Sequence, residues 1–121
     1  MCLREVNRKL DKPVQKRFYK VMRVLRRKGQ PTRYGFKMRR SCRPLEKGVV
    51  RHARNGWLTA YDGLTYRSGF HGYTTLNTAQ AHVLRRNEAV VLCTGLVHTI
   101  GDQSGDDVCV ASTMKILKES K

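Results

Sequence analysis

The chain has 121 residues, 40% of them apolar, and a formal charge of +16. That length fits one domain with a single core, since a chain of this size removes roughly two-thirds of its unfolded surface from water. The longest apolar run, over 89–97, is far short of the roughly 20 residues a bilayer span needs, and the charged start lacks an apolar signal core, so the expectation is a cytoplasmic protein with no membrane partner.

The charge is carried by the first half: residues 1–60 hold 19 Lys or Arg against 3 Asp or Glu, whereas residues 61–121 hold six of each. Cys2 stands behind the initiator Met. Once exposed, its amine and thiol make a nucleophile with its own base; the plainer reading is a small residue in a first strand. Residues 13–28 support two structures. Phe18, Val21, Met22 and Leu25 fall at i, i+3, i+4 and i+7, the stripe of a helix with Lys16, Lys20, Arg23 and Arg27 outward, Pro13 in its first turn and Gly29 and Pro31 as stops. The rival is a strand, FYKVMRVL (18–25), a turn around RKGQPT, and a second strand, YGFKMRR. In that second arm Tyr34, Phe36 and Met38 alternate with Arg33, Lys37 and Arg39.

NGWLTAYDG (55–63) is bracketed by turn dipeptides. GLTYRSGFHGYTT (63–75) is strand-like, and Gly63, Gly69 and Gly72 within it mark bulges or close backbone approach. TTLNTAQAHVLRR (74–86) predicts the main helix, with Leu76, Ala79, Val83 and Leu84 on its stripe, Thr75 or Asn77 at its start, and Arg85 and Arg86 in its last turn. EAVVLCTGLVHTI (88–100) and VCVASTMKIL (108–117) predict two strands across the turn-forming GDQSGDD. No repeat or linker interrupts the chain, so residues 1–121 form one domain.

Cys2, Cys42, Cys93 and Cys109 contain no CxxC pair, which points to free thiols in a reducing compartment. No metal or cofactor is expected. Cys93 with His98 is not a zinc spacing, and Asp102, Asp106 and Asp107 lack the spacing of a calcium loop. His52, His82 and His98 have no paired carboxylate or nucleophile at a recognisable sequence spacing, so no catalytic residue is assigned. His71, between glycines and downstream of Tyr66, either lines a ligand crevice or is a satisfied core residue.

The start MCL, FYKVMRV, the KG at 47–48, GFHGYTTLNTA and the ending VASTMKIL together resemble a family of small uncharacterised proteins encoded by bacteriophages and prophages. The resemblance implies a small single α+β domain: a mostly antiparallel or mixed sheet with one main helix at about 75–86, and residues 18–25 as a strand. This sequence is more basic over 16–54 than that family's pattern. GFHGY leading into a helix also resembles the ADP-ribosyltransferase fold, whose chemistry calls for a late glutamate; Glu88 and Glu119 are the ones available.

Residues 23–40 hold eight Lys or Arg and no acid. A solvated face usually mixes both signs, because like charges repel and destabilise the compact state. The basic half is therefore expected to meet a polyanion through Lys16, Lys20, Arg23, Arg26, Arg27, Lys28, Arg33, Lys37, Arg39, Arg40 and Arg43, with Tyr19, Tyr34, Phe36 and Trp57 available for stacking. The expected partner is nucleic acid or a nucleoprotein complex, with an acidic protein surface competing. The function expected is that of a phage-type accessory protein, anti-CRISPR-like, interfering with nucleic-acid-handling or defence machinery in a bacterial host cell. The alternatives are an enzyme on an ADP-ribosyltransferase-like fold and a passive virion or host-takeover protein.

Overall fold

The structure is a computed structural model that describes residues 3–37 and 43–120. The elements are β1 (Glu5–Leu25), β2 (Arg33–Phe36), β3 (Leu45–Glu46), β4 (Val50–His52), β5 (Trp57–Thr59), β6 (Thr65–Arg67), β7 (Phe70–Tyr73), α1 (Leu76–Ala81), β8 (Glu88–Gln103), β9 (Asp106–Ala111) and β10 (Thr113–Ser120). Eight strands join in the order β3-β2-β1-β7-β9-β8-β10-β4, and β1 also pairs with β8. The pairings β1–β7, β7–β9, β9–β8 and β8–β1 thus close a ring, and each is antiparallel. β5 and β6 form a separate two-stranded sheet. The antiparallel sheet with a helix is as expected, but the chain is 62% strand and its helix is short, so the fold is more β-rich than the α+β reading.

Residues 13–25 belong to a strand, and the reason the helical stripe misleads is visible in the packing. Phe18 and Met22 face the inside of the curved sheet, where they join Val91, Cys93, Val97, Cys109, Met114 and Ile116. Val21 and Tyr19 point to the opposite face, where α1 covers them through Ala79, Leu76 and Val83. A strand buried on both faces loses its simple alternation, and its apolar positions then imitate a 3.6-residue period.

The helix is shorter than 75–86. Thr75 is the N-cap and accepts from Thr78 N–H, and His82 ends the helix. Leu76, Ala79 and Val83 pack as the stripe requires, but Leu84 is 79% exposed. Arg85 lies beyond the helix, where its N–H and that of Leu84 donate to the Glu88 carboxylate. The predicted GDQSGDD loop is also tighter than expected: β8 runs on to Gln103, and Ser104 and Gly105 make the turn with φ of 55° and 88°. Positive φ at both central residues is the geometry that suits the twist of a two-residue hairpin. The predicted final strand is split at Ser112 into β9 and β10, both of which pair with β8.

A third cluster joins β5 and β6 to the outside of β7 and β9 through Leu3, Tyr66, Val108 and Val110. Gly72 is a close approach of the kind its sequence suggested, because a Cβ there would overlap the Phe18 ring.

Candidate polyanion-binding face

Directly opposed residues on antiparallel strands share a face. Arg17 pairs with Thr94, Thr94 with Lys115, and Lys115 with Val50, so these four cross β1, β8, β10 and β4 in one row. Phe18 is fully buried on the inner side, which puts Arg17 and its row on the outer one. The next outer row begins with Gln15 opposite Leu96 and continues with Thr113 opposite His52. Gln15 donates to Thr94 Oγ1 at 2.7 Å, and Leu96 N–H donates to Thr113 Oγ1 at 3.0 Å, locking the rows together. Neither row contains an acid. Strands lie about 4.8 Å apart, so Arg17 and Lys115 flank Thr94 at backbone positions roughly 10 Å from each other.

Five of the six acids of the second half are already engaged, and Asp107 is exposed. Glu119 accepts from Arg26 at 2.8 and 2.9 Å and from the Tyr34 hydroxyl at 2.8 Å. Glu88 meets Lys37 at 3.4 Å, and Asp106 meets His82 at 2.8 Å. Asp62 accepts from the N–H groups of Val6 and Leu64, and Asp102 from that of Gly105. Of the cations expected from sequence, Arg26 and Lys37 reach carboxylates in this way. Burial and the Glu119 hydrogen bond push the Tyr34 hydroxyl up to about 12. Burial opposes ionisation of Glu88, but the N–H groups of Leu84 and Arg85 and the Lys37 ammonium overcome it and hold the carboxyl below its ordinary range.

The cations expected from sequence to form one surface are divided by the fold. Lys16, Arg27, Lys28 and Arg43 are exposed, and Arg33 is half-buried. Arg23 lies against β2, with Nε directed at the Phe36 carbonyl at 3.4 Å. Arg26 and Lys37 are the ion-paired groups above. Lys20 is turned inward: its ammonium donates to the His71 carbonyl at 2.8 Å and sits 5.7 Å from the centre of the Phe36 ring. Arg39 and Arg40, like Cys2, Met38 and Cys42, lie outside the described residues. Of the expected stacking residues, Tyr34 and Phe36 are buried and Tyr19 packs beneath α1, while Trp57 is 68% exposed.

Arg17 and Lys115 are the residues the sequence reading missed. Arg17 was legible: with Phe18 inward, the period of two along a strand sends Arg17 outward and Lys16 and Lys20 to the inner side. Lys115 joins it only through the β8–β10 register, which no local pattern encodes.

Tyr66 and His71 do come together, but not on an open crevice. Tyr66 is fully buried; its hydroxyl accepts from Leu3 N–H at 2.8 Å and pairs with His71 Nε2 at 3.1 Å. Burial, with the Lys20 charge nearby, lowers the His71 pKa to about 4, so the ring is neutral near pH 7. The pair ties the N-terminal segment to β6 and β7. Cys93 and Cys109 are free and buried, and burial pushes their thiols up to about 12 and about 11, making them poor nucleophiles and ligands. No cluster of three or more metal-ligating side chains occurs among the described residues, and no helix among them is long and apolar enough to cross a membrane. Comparison with protein families, characterised proteins and solved structures finds no match to this chain.

Proposed function

We propose that the protein binds nucleic acid, alone or in a nucleoprotein complex, through the two acid-free outer rows that cross β1, β8, β10 and β4, together with the basic β1–β2 turn. The observation that carries this reading is how few cations the acids reach: Asp62, Glu88, Asp102, Asp106 and Glu119 hold backbone amides, Tyr34 and His82, and of the basic half only Arg26 and Lys37 among the described ion pairs. Arg17, Arg27 and Lys28 are exposed to solvent, and phosphate is the abundant anion that arginine forks fit bidentately. Pleated strands present side chains at regular intervals, which suits contact with a backbone rather than with base edges, so the binding is of low sequence preference.

The resemblance to phage-encoded proteins extends the proposal to an anti-defence role, anti-CRISPR-like, in which the bound target belongs to a bacterial nucleic-acid-handling machinery. The enzymatic alternative draws no support from Glu88 and Glu119, both of which are committed to structural contacts. The test is the Arg17→Glu/Lys115→Glu double variant, expected to lose most affinity for nucleic acid while melting at nearly the wild-type temperature. Unchanged affinity in that variant removes the sheet face from the proposal. Co-purification from bacteria expressing the protein then identifies the target: recovery of an acidic protein without nucleic acid would favour the competing partner class.

A further inference from the structure

Two irregularities meet at His98. In β8 the register with β9 slips between Val97 and Thr99, leaving His98 as the extra residue of a bulge. On the other side of β8, the register with β1 slips between Lys9 and Val14. Pro13 lies in that slip, where a residue without an N–H is tolerated. Bulges redirect side chains and recur beside functional sites. Here His98 lines a cavity of about 70 Å³ together with Pro13, Arg54, Arg67, Ser68 and Ser112.

The chemistry of this cavity has one sign. It is lined by two guanidinium-bearing residues and an imidazole, and no carboxylate lines it among the described residues. Arg54 and Arg67 are exposed and form no ion pair there. Hydrogen bonds from Ser68 Oγ to the Arg54 carbonyl at 2.9 Å, and from Ser68 N–H to the Gly56 carbonyl at 2.9 Å, fix the wall. His98 Nδ1 is 2.8 Å from Thr99 Oγ1, while its Nε2 is buried without a hydrogen-bond partner among the described residues. A buried polar atom left so asks for an explanation, and the Ser68 backbone is the near group that favours a proton on the ring. Burial, with the Arg67 charge nearby, lowers the His98 pKa, a shift that a bound anion would oppose.

We propose that this cavity is a binding site for a single phosphate group, held by Arg54 and Arg67 with His98 at its wall. A tetrahedral oxyanion suits the volume, and two arginines on the lining suit its charge. The site lies beside the end of the outer face, since Ser112 and Ala53 adjoin Thr113 and His52, but it draws on neither Arg17 nor Lys115 and is tested apart from nucleic-acid binding there.

Trp57 supplies a reporter, being the sole tryptophan and having the Arg67 guanidinium 5.9 Å from its ring centre. The experiment titrates the full chain with inorganic phosphate at ionic strength held constant with chloride, reading Trp57 fluorescence. A saturable change is expected, with half-saturation raised about tenfold or more in Arg54→Gln, since one charge-assisted hydrogen bond is worth that factor. The same titration should be unaltered in Arg17→Glu/Lys115→Glu. A phosphate response no larger than that to chloride, or one that Arg54→Gln leaves intact, overturns the proposal. A second arm compares oligonucleotides with a 5′-phosphate and a 5′-hydroxyl. Preference for the phosphorylated end identifies a strand terminus as the source of the group, and equal binding identifies free phosphate or a small phosphate ester.

Discussion

Single residues carry much of the fold's specificity, and Gly72 shows how. It faces Phe18 so closely that any Cβ must displace the ring, and overpacking of a filled core costs about 1–3 kcal/mol. Gly72→Ala is therefore expected to lower unfolding stability by about that amount, measured by chemical denaturation, and a Phe18→Leu background should restore part of the loss. His71 gives a pH signature. In the unfolded chain it takes a proton near its ordinary 6.5, whereas in the fold it stays neutral down to about 4. Between those values the unfolded state binds more protons, so stability falls as pH drops from about 6.5 to 4 and this contribution levels off below. His71→Gln should flatten the melting temperature across that window relative to wild type; an unchanged profile would show that His71 does not govern it. The sequence offered His71 either a crevice or the core. The choice was fixed by Tyr66 and Leu3, which are distant along the chain and meet only after β5 and β6 fold over β7 and β9.

Elements were readable where one face is buried and obscured where two are. The α1 stripe at Leu76, Ala79 and Val83 was plain, but its end was not: Glu88, by accepting from Leu84 and Arg85, draws the chain out of the helix before the predicted last turn. β1 was ambiguous because α1 covers the face opposite the main core. The bulge at His98 was invisible, since a bulge exists only relative to a partner's register. The β1–β2 turn likewise separates by contact rather than by composition. Arg26 binds Glu119 and sits beside Tyr34, while Arg27 and Lys28 project into solvent. Exposed pairs are worth at most about 1 kcal/mol, so Arg26→Glu, which sets two carboxylates together, should destabilise by about 1 kcal/mol. Arg27→Glu/Lys28→Glu should change stability by about 0.5 kcal/mol or less per site yet weaken nucleic-acid binding. Thermal melts of the two variants side by side check the distinction, and equal melting temperatures would count against the Arg26–Glu119 contact.

For the whole molecule, the excess charge of residues 1–60 was evident from composition, but its distribution depended on topology. The ring of β1, β7, β9 and β8 turns Lys20 inward, and the β8–β10 pairing brings Lys115 from the neutral half alongside Arg17. The proposed binding surface is thus built from both halves of the chain. Phosphate contacts release counterions, and about six of them give a log–log salt slope of roughly −5 on duplex DNA. The measurement is the affinity of the full chain for a generic duplex, a single strand and a structured RNA across a range of salt concentrations. Nucleic-acid binding through this face predicts affinity tighter than about 10 µM at low salt, a steep negative slope, and a flatter slope in Arg17→Glu/Lys115→Glu. Binding to none of the three below about 10 µM at low salt would contradict it.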